Sequence, residues 1–87
     1  MANTPQARKR ARQSQERRTR NVALRTRMRT YVKRVIKAIR KGDKPAAEEA
    51  YREAVPVLDK TVTKGVIHRN KAARHKSRLN ARIRGMG

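Results

Sequence analysis

The chain has 87 residues, of which 26 are lysine or arginine and six are acidic, for a formal net charge of +20; it has no cysteine. That length allows one small domain with a thin core, and the missing thiols exclude disulfide scaffolds, zinc fingers and thiol chemistry in one step. A charge of this size repels itself unless something neutralises it, and phosphate is the natural counterion, so nucleic acid leads as partner class, with an anionic membrane surface competing.

The first predicted helix covers residues 5–41, with proline only at its start and glycine only after its end. Asn3 or Thr4 supplies the cap and Pro5 the first turn. The front of this helix, Arg8-Lys9-Arg10-Ala11-Arg12 to Glu16-Arg17-Arg18-Thr19-Arg20, carries seven basic residues, one acid and no large apolar side chain. The rear places Leu24, Met28, Tyr31, Val32, Val35, Ile36 and Ile39 at helical spacing. Lys37, Arg40 and Lys41 suit the negative end of the helix dipole, and Gly42 is the expected left-handed residue that stops it. Roughly 37 residues would span about 55 Å.

Gly42-Asp43-Lys44-Pro45 then restarts a helix at once, with Asp43 or Lys44 as cap and Pro45 as first helical residue. Its inward stripe is Ala46, Ala47, Ala50, Tyr51, Ala54, Val55, Leu58 and Val62. Pro56 interrupts that stripe and predicts either a kink near residues 52–56 or two separate helices. Lys64-Gly65 ends the segment, and Val66 and Ile67 plug the end of the bundle. A third helix runs from His68 or Arg69 to Arg84, with Ala72, Ala73, Leu79 and Ile83 facing inward; Gly85 closes it, and a short frayed tail follows. No segment shows strand-like alternation. The expected fold is all-α: a three-helix bundle over residues 21–84, with the long first helix extending beyond it through residues 1–20. The second and third helices, at roughly 20 and 17 residues, reach only about 25–30 Å. They can cover only the rear of the first helix, and its front is expected to fray in free protein.

Charge is sorted along this plan. Residues 1–42 carry a net +14 and residues 61–87 a net +8, whereas residues 43–60 carry −2 and five of the six acids. The flanking segments should therefore face a polyanion and the middle segment solvent. Glu48, Glu49 and Glu53 are expected to pair with Lys44 and Arg52 on an exposed face.

Catalysis has little to stand on. His68 and His75 lie seven residues apart with no carboxylate beside them, and there is no Gly-rich phosphate loop or Ser/His/Asp arrangement. The reading is no enzyme, no cofactor, no metal and no small-molecule substrate. No apolar run approaches a membrane span or a signal-peptide core. The basic front has the composition of a transit peptide but no interleaved large apolar residues. A soluble cytoplasmic chain is expected, and a membrane partner is not.

The mode of nucleic-acid binding also narrows. Tyr31 and Tyr51 are the only aromatics, and both fall on inward stripes, so no stacking platform for single strands is available. Binding must rest on charge, shape and phosphate contacts. Arginines outnumber lysines 17 to 9, and guanidinium forks bridge phosphates and stack on bases, which suits folded RNA. Asn21, Thr26, Thr30, Asn70, Ser77 and Asn80 could meet 2′-hydroxyls or phosphates.

The run Lys64-Gly65-Val66-Ile67-His68-Arg69-Asn70-Lys71-Ala72-Ala73-Arg74-His75-Lys76-Ser77-Arg78-Leu79 closely resembles the S20 family of bacterial small-subunit ribosomal proteins. So do the Met1-Ala2-Asn3 opening, the basic run with Gln13-Ser14, the Met28-Arg29-Thr30 step and the Gly42-Asp43-Lys44 connector; Pro45 departs from the small residue expected there. The resemblance implies a bundle with an extended first helix that binds 16S ribosomal RNA directly and early in assembly. It further implies contacts with the 5′ domain and with the penultimate helix of the 3′ minor domain. By position it makes Arg8, Lys9, Arg10, Arg12, Arg17, Arg18, Arg20, Asn21, Arg25 and Arg29 RNA-binding residues of the first helix. Lys64, His68, Arg69, Asn70, Lys71, Arg74, His75, Lys76 and Arg78 are their counterparts in and before the third. A ribosome-bound structural protein is the expected function. A histone-like DNA compactor is the nearest rival, although the chain lacks the apolar wedges such proteins insert.

Overall fold

The computed structural model describes residues 4–86. Three helices follow one another: α1 spans Pro5–Arg40, α2 Lys44–Thr63 and α3 Arg69–Arg84. Local chemistry sets each start. The Thr4 hydroxyl accepts from the Ala7 N–H at 3.1 Å with Pro5 opening α1; the alternative cap, Asn3, lies outside the described residues, as does the final tail residue. Asp43 Oδ1 accepts from the Ala46 N–H at 3.2 Å and starts α2 one residue before the expected point, which puts Pro45 second rather than first. Neither position has an N–H that the helix would use, so proline costs nothing there.

The first two helices stop by the same device. Gly42 has φ +74° and Gly65 φ +73°, a conformation that a Cβ penalises. The Gly42 N–H donates to the Ile39 carbonyl and the Asp43 N–H to that of Ala38; Gly65 and Val66 repeat this towards Val62 and Thr61. Each pair of bonds satisfies carbonyls that the helix end leaves open. After the second stop Val66 is buried, and Ile67 beside it is half-buried against the core.

Met28, Val32, Val35 and Ala38 from α1 meet Ala47, Ala54 and Leu58 from α2, and Ala72, Leu79 and Ile83 from α3. With no phenylalanine or tryptophan in the chain, alanines carry much of this core and let the helix axes approach. α2 packs mainly on α1, and α3 packs more on α2 than on α1. Thr61 is the one buried polar residue among those described, and its hydroxyl donates to the Val57 carbonyl at 2.7 Å. Burying it therefore leaves no donor unmatched.

Several expectations need correction. α2 is one continuous helix through Pro56, which rules out the alternative of two separate helices. Proline removes the N–H that would reach the Arg52 carbonyl, but Arg52 and Pro56 both lie on the exposed side, where water can replace it. Ala73 is exposed, not inward; α3 turns Ala72 alone of that pair to the core. Glu48, Glu49 and Glu53 make no ion pair with Lys44 or Arg52, for among the described residues the only pair within 4.0 Å joins Lys76 and Asp59. Tyr31 and Tyr51 pack against the core as their inward stripes imply, each half-buried at its margin.

Candidate nucleic-acid interface

The front of α1 is a helix without a packing partner. From Arg8 to Arg20 every residue is exposed, and Asn21 is the first to be partly covered. The molecule extends 62 Å along its long axis but only 21 and 17 Å across it. At about 100° per residue, Arg10 and Arg17 continue the line that Leu24 occupies further along. Arg8, Lys9, Arg12, Arg18 and Arg20 point in the other directions. The cations encircle the helix, so an enveloping polyanion can reach them and a flat apolar surface finds nothing to hold. No described helix is long and apolar enough to cross a membrane.

A second basic surface lies where α3 runs beside the rear of α1. A shallow groove there is lined by Met28, Arg29, Val32 and Lys33 from α1 and by Lys71 and His75 from α3. Lys71, His75 and Arg78 recur at steps of four and three, which places them on one side of α3. Arg29 lines the groove from across it, and Arg25, one turn earlier on α1, is exposed. The imidazole of His75 is held below its ordinary range, first by partial burial and then by the positive charges of Lys71, Arg74 and Arg78. A neutral ring among fixed cations can contact a base or a sugar, and a phosphate brought close would favour its protonation.

The remaining predicted positions divide. Arg69, Asn70 and Arg74 are exposed on the first turns of α3, and Lys64 is exposed at the end of α2. His68 is first of all a helix cap, because its Nδ1 accepts from the Asn70 N–H at 3.1 Å, which leaves Nε2 for an outside partner. Lys76 is turned away from the groove: its Nζ reaches Asp59 on α2 at 2.8 Å, and its carbonyl accepts from the Tyr51 hydroxyl at 3.3 Å. Both bonds brace α3 against α2. The hydroxyls of Thr26 and Thr30 donate to the carbonyls of Val22 and Thr26, so they keep lone pairs for a 2′-hydroxyl but no proton for a phosphate.

Two further cations belong to this surface. Lys33 lines the groove, and Arg82 extends the line of Lys71, His75 and Arg78 by one more turn. The step of four from Arg29 and from Arg78 was the available signal. Among the described residues no group of three or more histidines and acids is placed to hold a metal ion.

The chain is 65% identical to small ribosomal subunit protein bS20 of Nitrosococcus oceani, over 99% of each chain. It is 63% identical to the bS20 of Thioalkalivibrio sulfidiphilus, over 99% of this chain and all of the other. With the bS20 of Alkalilimnicola ehrlichii it shares 60%, over 99% of this chain and 98% of that one. The sequence model of the ribosomal protein S20 family matches residues 2–84, and the chain belongs to that family.

Proposed function

We propose that this protein binds 16S ribosomal RNA directly, through the encircling cations of α1 and the basic side of α3, and thereby supports assembly of the small ribosomal subunit. Family membership makes it a structural constituent of that subunit and not an enzyme. One observation carries the finer reading. Of 26 lysines and arginines, Lys76 alone lies within 4.0 Å of a carboxylate among the described residues. A protein that used its acids to neutralise its bases would intersperse them; here the counterions must come from outside, along two surfaces joined by one helix.

On this reading the front of α1 and the groove beside α3 hold RNA backbone, and RNA takes the place of the missing packing partner for residues 5–20. The regions addressed are the 5′ domain and the penultimate helix of the 3′ minor domain, and the protein works ribosome-bound in the cytoplasm. The test is binding to 16S rRNA and to duplex DNA of equal charge, titrated across salt. Counterion release should weaken both by about 0.7–0.9 log units per phosphate contact per decade of salt. Tight rRNA binding that outlasts DNA binding as salt rises supports shape-specific recognition; simultaneous loss refutes it.

A further inference from the structure

Arg27, Tyr31 and Arg34 lie on the other side of α1 from the α3 groove and belong to neither basic surface described above. The Arg27 guanidinium carbon sits 5.8 Å from the centroid of the Tyr31 ring, and that of Arg34 sits 4.8 Å from it. Seven residues apart, the two arginines start about 10.5 Å from each other along the helix axis. They are too far apart to be ordinary neighbours on a helix, and the ring midway between them draws both heads inward by cation–π attraction.

Asp43 lines the same crevice as Arg34 but forms no direct ion pair with it. Among the described residues neither arginine has a carboxylate within 4.0 Å. A third cation, Lys60 of α2, lines the same crevice as Arg27. The Tyr31 ring is fixed from beneath by its packing on the core, so its position is set by the fold. Its hydroxyl has no hydrogen-bond partner among the described residues, whereas that of Tyr51 is engaged with Lys76.

We infer that Arg27 and Arg34 form a preassembled phosphate clamp for the RNA backbone on the α1–α2 side of the bundle, with Tyr31 as the residue that positions both. The inference rests on the RNA-binding reading above and adds to it a site outside the two surfaces that reading uses. Guanidinium forks already gathered on one ring lose less freedom when a phosphate arrives than two free arginines would.

The test uses the full-length protein and 16S rRNA, with affinity measured across salt. Arg27→Ala with Arg34→Ala, both at exposed positions, should lower affinity about ten- to a hundredfold and reduce the salt slope by about 0.7–0.9 for one lost phosphate. Tyr31→Leu keeps both charges and an apolar contact with the core; it should lower affinity several-fold in the wild-type background and not at all in the double-alanine background. Tyr31→Phe, which keeps the ring, should recover most of the loss. Unchanged affinity and slope in the double-alanine variant overturn the clamp. An equal loss from Tyr31→Leu in both backgrounds marks the ring as merely structural and overturns the positioning role. Wild-type protein that does not prefer 16S rRNA over duplex DNA overturns both this inference and the reading it rests on.

Discussion

The two halves of α1 share one backbone geometry and differ in what stands on a single line of side chains. In the rear, Leu24, Met28, Val32 and Val35 face α2 and α3, and three of these four are buried. In the front, Arg17 and Arg10 occupy that line and nothing covers them. The rear is stabilised by apolar surface that its own chain removes from water. The front has like charges at steps of three and four, such as Arg8 with Arg12 and Arg17 with Arg20, which oppose the helix when no anion is present. An amphipathic pattern thus says where a chain supports itself, and its replacement by arginine at the same phase says where an outside partner must.

Neutralising the front alone should separate RNA binding from folding. Changing Arg8, Lys9, Arg10 and Arg12 to glutamine should lower the salt slope of 16S rRNA binding by about 3, for four phosphate contacts. Thermal melting of the free protein should stay within about 0.5 kcal/mol of wild type. A large loss of stability would show that the front is part of the folded unit after all.

The converse substitution strikes the rear. Leu58 is fully buried, and Leu58→Ala should cost about 2–5 kcal/mol in denaturant unfolding. The salt slope, measured where the variant is still folded, should not change.

A smaller effect is expected at the joint after α1. Gly42 has open space where a Cβ would go, so Gly42→Ala meets only the left-handed backbone and should cost about 1–2 kcal/mol. The melt should shift while the helical content stays the same.

The smallest effect separates the halves by pH. The front has no histidine near it in sequence, whereas α3 sets His75 beside the rear, where it is held below 6.5 by burial and by Lys71, Arg74 and Arg78, with Arg29 and Lys33 across the groove. The unfolded chain then binds a proton before the folded one does. Stability is complete above about pH 6.5 and falls as the pH drops from there towards the lower folded pKa. His75→Gln should flatten that part of the stability curve, measured by denaturant unfolding between about pH 7 and pH 5.

Helix boundaries were the most legible feature of the sequence, because each rests on residues whose chemistry acts within four positions. Thr4 with Pro5, Gly42 with Asp43, and Gly65 need no knowledge of the rest of the chain to do their work. The core stripe of α1 could be read for the same reason. Ala73 could not, since an alanine lacks the bulk that distinguishes inside from outside, and the rotation of α3 by one residue decides the matter. Lys76 was equally opaque. Its bond to Asp59 depends on how α3 lies against α2, and nothing in the spacing of two residues 17 apart reveals that. The clamp at Tyr31 was hidden by a correct premise: tyrosine does pack on the core, but it is only half-buried there.

The two glycine stops have a consequence for how the chain acquires its shape. Because nearly the whole described chain is helix, most neighbours in space are also neighbours in sequence, and the two stops bring successive helices together by reversals of only a few residues. Helical bundles dominated by such local contacts fold in microseconds to milliseconds. A newly made polycation with this architecture hides its apolar stripe before slower encounters occur, and what it then offers a passing nucleic acid is charge alone. Its first collisions are accordingly loose and reversible, open to sorting by ionic strength until one surface finds the shape that fits.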